Sequence, residues 1–226
     1  MFIYDEIIKS LNSLIEGYSR TNLEIKDQNF KEDKNQIIFK NDKAFELGGG
    51  SNYGFTLNLI STDNFNDEII LIGKDTNEIN SDTNYARINI FSCDDAKLKE
   101  DNLYKNIRQI DYMKYQFALD GVMLRESAIN SKESLLFSKK KISLTDAGNY
   151  LIKLYKRSPY VKNMRLILIN LDNFKYEDLK ILKDKEENIT KALDHLVNKV
   201  KMDCSACGLK PICDDVSKLV EKDFKK

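Results

Sequence analysis

Leu166-Ile-Leu-Ile169 is four apolar residues in a row with no polar break. A strand with one wet face alternates apolar with polar residues, so such a run marks a strand covered on both faces. That requirement points to a sheet layered between helices, and the rest of the sequence supplies both. Tyr53, Phe55, Leu57 and Leu59 alternate with smaller or polar residues. Glu68-Ile-Ile-Leu-Ile and Tyr85-Ala-Arg-Ile-Asn-Ile-Phe read as two more strands, and Phe117–Arg125 and Ser134–Ser138 as further ones. Tyr53, Phe55, Leu57, Ile88, Ile90, Leu166 and Leu168 are the expected core.

Helical spacing takes over elsewhere. Ile7, Ile8, Leu11, Leu14 and Ile15 form one apolar stripe, with Gly17 where a carboxyl-terminal cap belongs. Residues 102–113 read as helix. Ser143 is an N-cap with Asp146 three residues on, opening a helix whose apolar face is Leu144, Ala147, Leu151, Ile152 and Tyr155. A last long helix carries Ile189, Leu193, Leu196, Val197 and Val200 on one side. The polar stretch 20–36 reads as loop or loose connection. The expected organisation is an N-terminal helix and connection over 1–42, a mixed α/β domain over 43–172, and a helical tail over 173–226.

The 226 residues suffice for a sizeable core, with 42% hydrophobic residues. Thirty-six basic and thirty-six acidic residues cancel, so the totals supply no basic face for nucleic acid or an anionic membrane. The opening MFIYDEIIKSLNSLIEG has early acidic residues and polar breaks, unlike a secretory signal or a membrane span. A cytoplasmic protein is expected. Disulfides are uncommon in that compartment, and clustered cysteines there read as ligands.

Three of the four cysteines fall within CSACGLKPIC, Cys204 to Cys213, just past the last long helix. Cys204-x2-Cys207 sets two sulfurs on one turn, Cys213 follows after five residues, and Pro211 restricts the path between. A [4Fe–4S] cluster takes one ligand per iron, most often a Cys thiolate. A structural zinc also takes four ligands. Three are local; the fourth must come from Cys93, from Asp214, Asp215 or His195, from another subunit, or from an exogenous ligand. Cys93, just past a strand end, is the best candidate. The x2-then-x5 spacing without a second C-x2-C favours a cluster over zinc, with a thiol redox pair and incidental cysteines as the alternatives. Elsewhere, Gly48-Gly49-Gly50-Ser51 lacks the lysine of a phosphate loop and reads as a turn. His195 is off the apolar stripe of its helix, and Lys139–Lys141 reads as a solvated run.

AFELGGGSNYGFTLNLI resembles the Glu-Leu-Gly-Gly segment in the middle domain of the acetyl-CoA synthase family, the β subunit of the carbon monoxide dehydrogenase/acetyl-CoA synthase complex. The resemblance continues in register through DGVMLRESAINSKESLLFSKKKISLTDAGNYLIKLYKRSPYVKNMRLILINL and covers roughly residues 43 to 213. In that family a charged helical stretch, here Asp178 to Met202, leads to a Cys-x2-Cys that begins the ligand set of a nickel–iron–sulfur cluster. The resemblance implies the family's middle-domain fold and an iron–sulfur ligand set at Cys204, Cys207 and Cys213. As partners it implies carbon monoxide dehydrogenase or corrinoid iron–sulfur protein subunits. The departures are specific. The third cysteine comes earlier than in the family, and the fourth is absent locally. The Cys-Gly-Cys that holds the distal nickel and the domain that docks carbon monoxide dehydrogenase have no counterpart in these residues. The expectation is therefore an accessory or electron-transfer iron–sulfur protein of anaerobic one-carbon metabolism, without full synthase activity. The alternative is a zinc-stapled interaction module.

Overall fold

The apolar run lies inside β7 (Val161–Asn170), and all four of its residues are fully buried at the centre of a five-stranded sheet. The structure, a computed structural model, describes residues 3–26, 54–61, 63–76, 84–99, 103–112, 117–119, 122–124, 143–198 and 207–224. In chain order these form α1 (Asp5–Ile15), β1 (Thr21–Leu23), β2 (Gly54–Ser61), β3 (Glu68–Gly73), β4 (Tyr85–Cys93), α2 (Asp95–Lys99) and α3 (Leu103–Tyr112). There follow β5 (Phe117–Leu119), β6 (Val122–Leu124), α4 (Leu144–Tyr155), β7, α5 (Tyr176–Asn198) and α6 (Lys210–Phe224).

The sheet order is β1-β3-β7-β4-β2. β3 runs parallel to β7 and β2 parallel to β4, while the central β4–β7 contact is antiparallel, as is β1 on β3. The class is mixed α/β, with helices on both faces of the sheet. Registers Ile69↔Leu166 and Asn89↔Leu166 put Ile69, Leu166 and Asn89 on one face, because side chains alternate with period two. α4 lies on that face. Its Gly148 comes so close that an added Cβ would sit 3.2 Å from both Ile69 and Leu166 side-chain atoms. α1 and α3 pack on α5, and α5 runs against β2. One hydrophobic cluster, from Tyr4 to Val216, joins residues of all three sequence segments.

Leu57, Ile88, Ile90, Leu166 and Leu168 are fully buried as expected. Tyr53 and the Phe55 side chain lie outside the described residues, as do Gly48–Gly50, Lys139–Lys141 and the expected strand Ser134–Ser138. Ser143 caps α4 as its spacing predicts, accepting the Asp146 N–H at 3.0 Å. Asp75 adds a second cap from the sheet side, accepting the Leu144 N–H at 2.9 Å and the Thr145 hydroxyl at 2.6 Å. Both oxygens satisfy amides that a helix start leaves without intrahelical partners.

Two segments differ from the sequence reading. The stretch 20–36 contains β1, whose Thr21 and Asn22 are exposed; a short edge strand joins by backbone pairing alone and leaves no apolar alternation to read. Phe117–Arg125 is not one strand: β5 and β6 pair antiparallel, Leu119 opposite Val122. The two intervening residues are Asp120-Gly121, a dipeptide strongly favoured between hairpin strands.

Candidate metal centre

α5 is 23 residues long, and its buried face comprises Leu179, Leu182, Ile189, Ala192 and Leu193 with Tyr176 and Glu186. It ends at Asn198, and Cys204 lies outside the described residues. Cys207 begins the next described stretch. Its carbonyl accepts the Lys210 N–H at 3.1 Å, and the Leu209 carbonyl accepts the Cys213 N–H at 2.9 Å. These two bonds start α6. Pro211 falls in the first turn, where its missing N–H has no intrahelical acceptor to lose and its fixed φ suits the helix. Cys207 therefore stands just before the helix and Cys213 in its first turn. Both are half-buried, no disulfide joins either to a described cysteine, and Cys213 packs against the main core.

The other named donors are placed differently. Asp214 and Asp215 are exposed and pair with lysines of their own helix, Lys210 at 3.1 Å and Lys218 at 3.9 Å. His195 is half-buried in the last turn of α5. Cys93 ends β4 at a register shift, opposite Val161, and is buried. Burial, followed by the nearby Asp95 and Asp94 carboxylates, pushes its thiol up to about 12, with Lys162 opposing. A ligand must be a thiolate, and this surrounding disfavours one. Among the described residues no three of His, Cys, Asp and Glu gather in a metal-binding group.

This contrast is directly measurable. At pH 8, iodoacetamide should label Cys207 and Cys213 of the folded, metal-free chain while Cys93 stays unmodified until denaturant is added. Peptide mass spectrometry reads the outcome; early labelling of Cys93 would mean that the end of β4 opens to solvent.

The sequence reading missed a second polar cluster, on the sheet face that α4 covers. Asn58 and Asn89 are cross-strand partners, and Asn89 Nδ2 donates to Asn58 Oδ1 at 2.6 Å and to Tyr155 OH at 3.3 Å. Asn58 Nδ2 donates in turn to the Asp111 carbonyl at 3.1 Å, tying the end of α3 to the sheet. Tyr85 and Arg87 share this face by alternation, and both are fully buried. Among the described residues, the Tyr85 hydroxyl and Asn89 Oδ1 meet no hydrogen-bond partner. Asp111, whose carbonyl Asn58 bonds, also ion-pairs through its side chain with Arg108 of α3, and Arg108 pairs at 2.5 Å with Asp194 of α5.

No helix among the described residues is long and apolar enough to cross a membrane. Comparison with protein-family models, with curated proteins and with solved structures gives no match.

Proposed function

We propose that the chain is an iron–sulfur protein similar to the acetyl-CoA synthase β subunit, with an accessory or electron-transfer role in cytoplasmic, anaerobic one-carbon metabolism. Its partners on this reading are carbon monoxide dehydrogenase or corrinoid iron–sulfur protein subunits. The observation that supports it is the placement of Cys207 and Cys213 on either side of the start of α6, both half-buried. The donor set fits the group: thiolates are the usual ligands of iron–sulfur clusters. A helix start also presents amides without intrahelical acceptors, which favour the negative charge of thiolate-ligated metal. Cys204, Cys207 and Cys213 would hold the cluster, which when bound supplies one-electron chemistry.

Purification without oxygen, followed by iron, sulfide and zinc analysis and a visible spectrum, tests the reading. The expected result is a brown protein with broad visible absorbance, bleached by Cys207→Ser. A colourless protein with about one zinc per chain would instead favour the zinc-stapled module. Unchanged metal content in Cys207→Ser would remove these cysteines from the site.

A further inference from the structure

β2 stands at the end of the sheet order, so among the described strands only β4 fixes its register. Apolar packing alone does not. Side chains alternate with period two, and a slip by two residues keeps each of them on its own face. In the observed register Leu57 lies opposite Ile88 and Leu59 opposite Ile90. One slip would bring Leu57 opposite Ile90; the other would bring Leu59 opposite Ile88. In both, a leucine of β2 still faces an isoleucine of β4.

The polar face is not degenerate in this way. Asn58 lies opposite Asn89, and with Tyr155 the two close a ring. Asn89 Nδ2 donates to Asn58 Oδ1 at 2.6 Å and to Tyr155 OH at 3.3 Å, and the Tyr155 hydroxyl donates to Asn58 Oδ1 at 3.4 Å. All three residues are buried. Asn58 Nδ2 also donates to the Asp111 carbonyl, one of the last of α3, which a helix end leaves without an intrahelical donor. A slip in one direction sets Asn58 opposite Phe91, and in the other sets Asn89 opposite Ile60. Each slip therefore opens the ring and puts one buried amide against an apolar side chain, where an unsatisfied polar group is costly. We propose that the Asn58–Asn89–Tyr155 ring is a register lock: it selects one alignment of β2 on β4 and seats the end of α3 with it. A buried asparagine sets the register of coiled coils in the same manner, at a cost in stability.

Amide NMR of the isotopically labelled full chain reads the alignment. The wild type should give one signal per residue of β2 and β4. Asn58→Val leaves the Asn89 amide without its partner and should lower the melting temperature by about 6 °C. Asn58→Val/Asn89→Val removes both amides and should recover at least half of that loss, while the β2 and β4 signals multiply or broaden and those of β3 stay single. Gly73→Ala, a destabilising change at the far end of the sheet, should leave β2 with one set. A double variant with a single sharp set and native interstrand contacts between β2 and β4 overturns the lock. So does multiplication of the β2 signals in Gly73→Ala, which would mark a general loosening. Should the double variant fail to fold, Asn58→Ala/Asn89→Ala adds no volume and is read in the same way. If neither folds, the ring is a requirement of folding and not of alignment, and the lock is equally overturned.

Discussion

Gly73→Ala is expected to destabilise the fold by about 3 kcal/mol, read as a lowered denaturation midpoint at constant slope. Gly73 ends β3 with φ +106°, a conformation that residues with a side chain rarely adopt. Space is the larger problem. An added Cβ would lie 1.9 Å from the Asn170 carbonyl oxygen and 2.5 Å from its carbon. Both atoms belong to the backbone of the neighbouring central strand, so no side chain can turn aside to make room. The same carbonyl accepts the Lys74 N–H at 3.2 Å, and Asn170 Nδ2 donates to the Lys74 carbonyl at 2.9 Å. Displacing β3 would break this clasp too. A loss below about 1 kcal/mol, the level of a simple glycine-to-alanine backbone effect, would mean that the strand end yields freely.

Leu166→Ala should cost about 3 kcal/mol, within the range for deleting a fully buried leucine side chain. Leu166 fills the gap between the sheet and Gly148, which has no side chain of its own to follow the vacated space. The double variant Leu166→Ala/Gly148→Ala is the sharper measurement. In the native background the Gly148 Cβ meets Leu166 Cδ2 and Ile69 at 3.2 Å; with Leu166 truncated only the Ile69 contacts remain tight. The two changes should therefore be non-additive, the second recovering about 1 kcal/mol. Strict additivity would show that α4 shifts instead of holding its distance.

The same sheet explains what could be read in the sequence and what could not. Leu166–Ile169 announces burial on both faces because nothing in it is polar. Tyr85-Ala-Arg-Ile-Asn-Ile-Phe lies one strand away and alternates, the pattern of a strand with one face in water. Yet all nine residues of β4 are buried. Its polar face meets Asn58 and Tyr155, so the alternation separates polar packing from apolar packing inside the protein. A two-faced sheet leaves the neighbours of its central strand no solvent to face, and that step would have found Arg87 and Asn89. The Ser143 cap was legible because capping is local. The Asp75 cap was not, since its oxygen arrives from 69 positions away. Of the cysteine site, the spacing was legible, but the start of α6 at Lys210 was not read, although Pro211 just inside it is the residue that favours a first helical turn. The raised Cys93 thiol was not, because it depends on burial and on Asp95 and Asp94 around the strand end.

The strand order also governs when the protein can fold. β7 is the last of the described strands and the middle one in the sheet, flanked by β3 and β4. During synthesis β1 can pair with β3, and β2 with β4, but the two pairs cannot join until residue 170 has emerged. Until then β3, with Ile69, Ile70, Leu71 and Ile72, and β4, with Ile88, Ile90 and Phe91, each present an open apolar edge, the kind that recruits strands from other chains. Closure depends on contacts between residues far apart in sequence, such as Ile88 with Ile167, which slows it relative to a local helical bundle. The vulnerable period of this molecule's life is the interval between release of β4 and arrival of β7, when a chaperone that shields strand edges has most to protect.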